Sequence, residues 1–229
     1  MASTTLFCPI FISLEGGGEK VLGNGAFFRN NVQSFFISYE LNLFRDYVKY
    51  IENTLQQELK TYEDGIKELQ EEEVDDYIDE YLDNLIQYSY DFPTLMRKSL
   101  FVSIYTFLED KMVDLCVPTD NTLLNLNDIQ GKGIEQASVY LKKVLRLDFP
   151  DSGKEWHYIK KANLIRNCIV HANGNVSKST SQKKLRNIIN DMPSITIDKS
   201  DHIRLDSNFC LDFVENVGAF LRQLYKIEN

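Results

Sequence analysis

The 229-residue chain is 43% apolar and 26% charged, an ordinary globular balance that supports a core of its own in one domain, 1–229. No apolar run approaches the roughly 18 residues of a bilayer-spanning helix, and the start of the chain has no basic leader. The expected protein is therefore soluble, cytoplasmic and without membrane contact. The net charge of −9 argues against an evenly spread nucleic-acid surface. The four cysteines, Cys8, Cys116, Cys168 and Cys210, are too far apart and too apolar in setting for zinc, so free buried thiols and no metal or cofactor are expected.

Residues 1–25 hold an apolar stretch and then the glycine-rich EGGGEKVLGNG, expected to form an irregular or hairpin cap. It lacks the Lys-Ser/Thr ending of a phosphate-binding loop. From about Phe27 to Tyr88 there is no proline and one glycine, Gly65. Phe36, Tyr39, Leu43, Tyr47, Ile51 and Leu55 recur at helical spacing, which predicts one very long helix, or two broken near Gly65, with this stripe in the core. Between Glu58 and Asp83 stand twelve acidic residues against Lys60 and Lys67. That segment carries −10 against −9 for the whole chain, so the remainder is +1. Residues 58–84 are expected to form an acidic helical insertion or arm, most simply a solvated face, or else a shield or docking point for a basic cleft.

Pro93 and Thr94 open, and Pro118 closes, a strongly apolar segment expected to be a central buried helix. A polar connection leads to a helix from about Ile134 to Leu147. Asp151 and Ser152 are placed to cap the next helix, through Trp156, Ile159, Leu164 and Ile169, which Asn173 and Gly174 stop. A short basic helix over about Ser181 to Met192, a small hairpin in SITIDKSDHIRLD, and a last helix capped by Ser207 complete the chain. The expected fold class is a mostly α helical bundle with a long N-terminal helical hairpin or arm and a minor β-hairpin.

Between Lys154 and Arg186 eight basic residues face a single acid, Glu155, and within this zone lies LIRNCIVHANG. At 100° per residue Arg166, Asn163, Asn167 and His171 share one polar arc, while Ala162, Ile165, Cys168 and Ile169 face the other way. Val170 falls inside the polar arc, where it suits contact with a partner surface. An imidazole titrating near neutrality moves protons to and from ribose and phosphate oxygens, and a guanidinium braces charge building on a phosphoryl group. Arg166 and His171 are the candidate catalytic residues, with Asn167 supporting them and no metal required. Lys160, Lys161, Asn163, Asn173 and Lys178 are the candidate RNA contacts.

Arg166-Asn167-Cys168-Ile169-Val170-His171 resembles the Arg-x4–6-His signature of the HEPN superfamily, including its polar residue after the arginine. The segment MRKSLFVSIYTFLEDKMVDLC, with Arg97 near its start and Leu108-Glu109 inside, is similar to a helix of bacterial HEPN-like proteins of phage defence and toxin–antitoxin systems. The likeness covers about Pro93 to Gly174. It implies a HEPN-like bundle, a homodimer whose motif helices face each other, and a metal-independent endoribonuclease that leaves a 2′,3′-cyclic phosphate. RNA is the implied substrate, and an antitoxin or regulatory protein a possible partner. A toxin subset of the family continues His-x-Tyr, whereas this chain reads His171-Ala172-Asn173, which sets it apart from tyrosine modification and from the usual nucleotidyltransferase antitoxin.

Blander readings stand beside this one. His171 also suits the negative end of a helix dipole, and Arg166 an ordinary ion pair with Glu109. His157 and His202 have no companion motif. The alternative function is a non-catalytic HEPN-like module that binds protein or nucleic acid.

Overall fold

The computed structural model describes residues 24–118 and 123–227, with side chains from Gln33 onward. The cap expected over 1–25, its glycine-rich turn and Cys8 lie outside the described residues, apart from Asn24 and Gly25, which already belong to a helix. The fold is mostly helical with one two-stranded antiparallel sheet.

Helix α1 (Asn24–Lys67) spans 44 residues, about 66 Å at 1.5 Å per residue. It turns through residues 68–70 into α2 (Glu71–Ile86), where the Gln70 N–H donates to the Glu73 carboxylate at 3.2 Å. The two make a hairpin whose distal half carries the acidic run. The break expected near Gly65 falls after Lys67. Gly65 stays helical and allows close approach, because a β-carbon there would collide with the Tyr77 hydroxyl of α2. Tyrosines close the hairpin, with the Tyr62 ring 5.6 Å from Tyr81 and 5.9 Å from Tyr88.

The first four members of the stripe expected in the core lie on the wrong face of α1, while Ile51 and Leu55 are half-buried. Phe36, Tyr39, Leu43 and Tyr47 are exposed, and Ile37, Leu41 and Val48 are buried in their place. Helix α1 carries two apolar stripes roughly 140° apart, and the bundle takes the aliphatic one.

Helix α2 does not end at a loop. A π-helical turn, Gln87–Asp91, joins it directly to α3 (Phe92–Asp114). Pro93 therefore sits inside a continuous rod instead of opening a new helix; the wide turn accommodates a ring that has no N–H to give and crowds the turn before it. After the connection come α4 (Gly133–Val139), prolonged by a second π turn over Tyr140–Val144, and α5 (Lys154–Ala172). A 3₁₀ turn at Val176–Lys178 precedes α6 (Gln182–Asn190). Strands β1 (Ile195–Ile197) and β2 (Ile203–Leu205) pair Ile195 with Leu205 and Ile197 with Ile203, and α7 (Phe209–Tyr225) closes the chain.

Two caps differ from expectation. Gly153 occupies the N-cap of α5, while Asp151 turns to Lys142 at 3.4 Å. At α7 it is Asp206, not Ser207, whose carboxylate accepts the N–H groups of Asn208 and Phe209 at 2.9 and 3.0 Å.

The core forms where α1, α3 and α5 pack on α7. Phe101 of α3 meets Phe209 and Phe213 edge-on, with centroids 5.0 and 4.8 Å apart, and Trp156 of α5 stacks on Phe220 at 5.3 Å. Arg97 ties three elements together. Its Nε and Nη2 donate to both Glu52 oxygens of α1 at 2.7 and 2.8 Å, and its Nη1 donates to the Leu205 carbonyl of β2 at 3.1 Å. Both side chains are largely covered, so Arg97→Ala would leave a carboxylate without its partner. We expect a loss of about 2–3 kcal/mol, read as a fall in melting temperature of roughly 5–10 °C; an unchanged melting curve would refute the clamp.

Cys116, Cys168 and Cys210 are free and buried. Burial pushes all three thiols up, Cys116 to about 11 and Cys210 to about 12. Because the thiolate is the reactive form, maleimide at pH 8 should leave these three unlabelled in the native protein and label them in denaturant, as counted by peptide mass spectrometry.

Candidate active site in the groove of helix α5

Helix α5 places its side chains as its periodicity dictates. Trp156, Ile159, Ala162, Ile165 and Cys168 are buried. On the other side Asn163, Arg166, Asn167 and His171 line a single open groove of about 700 Å³. Helix α3 contributes Tyr105 and Glu109 to it, the start of α4 contributes Gly133, Ile134 and Glu135 after Lys132, and Lys178 to Ser181 form the far wall.

The polar side chains of α5 are linked in series. Arg166 Nη1 donates to Asn167 Oδ1 at 3.2 Å, and Asn167 Nδ2 donates to Asn163 Oδ1 at 3.1 Å. The Arg166 guanidinium lies 5.3 Å above the Tyr105 ring centre, a cation–π contact. Its Nε–H is fully shielded and has no acceptor. Among the described residues Arg166 forms no ion pair, so the rival reading that pairs it with Glu109 does not hold. A guanidinium left without a carboxylate in a concave wall is a ready anion site.

His171 is exposed at the last turn of α5. Helix α5 ends as its sequence suggests, with Asn173 and Gly174 both left-handed, φ 52° and 75°. Tyr105 is buried. Burial raises the pKa of its hydroxyl well above the ordinary phenol range, the Glu109 carboxylate adds to the rise and Arg166 opposes it, so the ring is a neutral platform. Gly133, at φ 60°, lets the chain pass Glu109, whose Oε1 would lie 3.0 Å from any β-carbon placed there.

The far wall is fastened by Asn175, which is buried. Its Oδ1 accepts from the Ser177 hydroxyl at 2.5 Å and the Lys178 N–H at 3.2 Å, while its Nδ2 donates to the Ser200 carbonyl at 3.2 Å. The Val176 N–H donates to Asp201 O and the Ile203 N–H to Gly174 O, both at 2.8 Å. The β-hairpin thus fixes where Lys178 stands. Lys98 packs behind, its Nζ 3.0 Å from the place of a β-carbon on Gly174, and burial lowers its pKa.

Of the residues expected at the site, the structure brings Arg166, Asn167, His171, Asn163 and Lys178 into one groove. Lys160 is exposed outside its lining. Lys161 turns to Asp191 at 3.5 Å in a different hollow, and Asn173 is exposed at the helix end. Sequence reasoning missed Tyr105, Lys132, Glu135, Asn175 and Ser179 to Ser181 as parts of the site. Tyr105, Lys132 and Glu135 come from segments far from the motif, whereas Asn175 and Ser179 to Ser181 flank Lys178 just beyond the helix end and stood close enough to be suspected.

Comparison with protein-family models, curated proteins and solved structures finds no match for this chain. The chemistry of the groove therefore rests on its own residues. Asn175→Ala removes three hydrogen bonds from a buried turn and should cost about 2 kcal/mol. It should also raise amide exchange at Lys178 and Ser179; exchange and stability both unchanged would remove Asn175 from the account.

Proposed function

We propose that this chain is a metal-independent endoribonuclease of HEPN-like type. The observation that carries the reading is Arg166, a guanidinium with no carboxylate partner among the described residues, sharing one groove with the exposed His171 and with Lys132 and Lys178. In the proposed reaction His171 takes the proton of a ribose 2′-hydroxyl. The 2′-oxygen attacks the adjacent phosphorus, and Arg166 bears the charge that grows on the phosphoryl oxygens. The 5′-oxygen leaves with a proton, giving a 2′,3′-cyclic phosphate and a 5′-hydroxyl. Asn167 orients Arg166 and is itself held by Asn163.

The base and the acid of this reaction need opposite protonation states, which two imidazoles supply more readily than one. Val170, 45% exposed between Arg166 and His171 on the helical wheel, suits a twofold contact that brings a second α5 across the groove. A composite site in a homodimer is thus part of the proposal, as is a role in bacterial defence or a toxin–antitoxin system, with a regulatory protein covering the groove.

Glu109 and Glu135 in the same lining favour a second reading, a non-catalytic module whose ligand carries cationic as well as anionic groups. The test is purified full-length protein with labelled RNA in EDTA. Cleavage with cyclic-phosphate ends is expected, falling by about 10²–10³-fold in Arg166→Ala and His171→Ala with the circular dichroism of the wild type retained. Equal cleavage by all three proteins would dismiss these residues. Intact RNA with every protein would turn the assignment to the binding module.

A further inference from the structure

Helix α1 is apolar on two faces, and the described residues of the chain pack on only one of them. Phe35, Phe36, Tyr39, Leu43, Tyr47 and Tyr50 are 49–67% exposed, while Ile37, Leu41 and Val48 behind them are buried. A single scattered aromatic on a surface means little. A contiguous row over four turns of one helix exceeds what monomers ordinarily leave in water. None of these residues lines the Arg166 groove, and none of the groove residues belongs to α1.

The row has an internal symmetry that names its occupant. Phe36, Tyr39, Leu43, Tyr47 and Tyr50 average 3.5 residues apart, the repeat with which two helices pack seam to seam. Phe36 and Tyr50 stand seven residues either side of Leu43, and Tyr39 and Tyr47 four. A twofold axis through Leu43 therefore maps the row onto itself with the helices antiparallel. Leu43 meets Leu43, Tyr39 meets Tyr47, and Phe36 meets Tyr50.

Area and charge agree with this arrangement. A buried aromatic covers about 150–250 Å², so the four aromatics of the row and the flanking Phe35, at half to two thirds exposure, offer with Leu43 on the order of 600–800 Å² per copy. A stable interface takes about 800 Å² from each partner. Three of the residues are tyrosines, whose ring packs while the hydroxyl stays at a wet rim. Downstream of Tyr50, α1 enters the −10 acidic segment. A parallel pair would lay two such arms side by side, and the antiparallel pair sends them in opposite directions.

We propose that the face of α1 formed by Phe36, Tyr39, Leu43, Tyr47 and Tyr50 is the docking surface for a second copy of this chain, antiparallel about Leu43. This contact is separate from the one proposed at α5 and does not depend on the nuclease reading.

The test is the solution mass of the full chain by light scattering. The wild type, Leu43→Glu with Tyr47→Glu, and Val170→Glu are compared, each with circular dichroism as a folding check. The wild type should self-associate at micromolar concentration, and the double variant should weaken this on the order of 100-fold, from dimer to monomer or from tetramer to dimer. Val170→Glu should keep the α1 contact. Should the charged pair unfold, Tyr39→Ala with Tyr50→Ala supplies the same comparison. On mild oxidation, a mixture of Phe36→Cys and Tyr50→Cys chains should cross-link, and Phe36→Cys alone should not. A monomeric wild type, or association lost in Val170→Glu and kept in the double variant, overturns the surface. Cross-linking of Phe36→Cys with itself overturns the antiparallel pairing.

Discussion

The edge-on packing of Phe101 against Phe209 and Phe213 is the contact on which the remaining geometry hangs. It fixes α3 against α7, and one turn along α3 the Tyr105 ring lies parallel to Phe213 at 6.4 Å. The same ring carries the Arg166 guanidinium. Tyr105 thus has one face in the core and one at the groove. A displacement of the aromatic cluster would move the platform on which the arginine rests. The core is close-packed and little compressible, so the arginine inherits its position from apolar packing, with little help from the single hydrogen bond to Asn167.

Periodicity made much of α5 legible in advance. Ala162, Ile165 and Cys168 are buried and Arg166, Asn163, Asn167 and His171 share a wall, because a 3.6-residue repeat leaves few other ways to hide so many apolar side chains. The stop at Asn173 and Gly174 was legible for a similar reason, since both adopt a left-handed backbone that these residue types tolerate best. Helix α1 was misread because it has two stripes. Periodicity reports that a face is apolar without saying which partner covers it, and the aromatic stripe looked the stronger. The far wall was illegible for another reason. Lys178 reaches the groove only because Asn175 and the β-hairpin pin its turn, and such long-range hydrogen bonds leave no local repeat in a sequence.

Charge is segregated in the fold as it is in the chain. The acidic residues occupy the far half of the α1–α2 hairpin, where α2 buries none of its side chains, and basic residues cluster along α5 and α6. The Arg97–Glu52 ion pair ties α1 to the body, and the tyrosine contacts close the hairpin on itself. The groove itself is of mixed sign, lined by Glu109 and Glu135 as well as Lys132 and Lys178.

The π turn at Gln87–Asp91 makes α2 and α3 one unbroken rod from Glu71 to Asp114, with the acidic tip at one end and, at the other, the stretch holding Tyr105 and Glu109. Such a turn holds one residue more than the α-helix would, and each residue is worth about 100° of rotation. The extra residue thereby acts as a phase shifter. It lets the tyrosine side of α2 face α1 while Phe101 of α3 faces α7, two directions that a regular helix of the same sequence would not reconcile. In a lineage of such chains, loss of one residue between Gln87 and Asp91 would let the wide turn close to a regular one with the arm still in phase, whereas closing it with all five residues kept would turn the arm about 100° against the body.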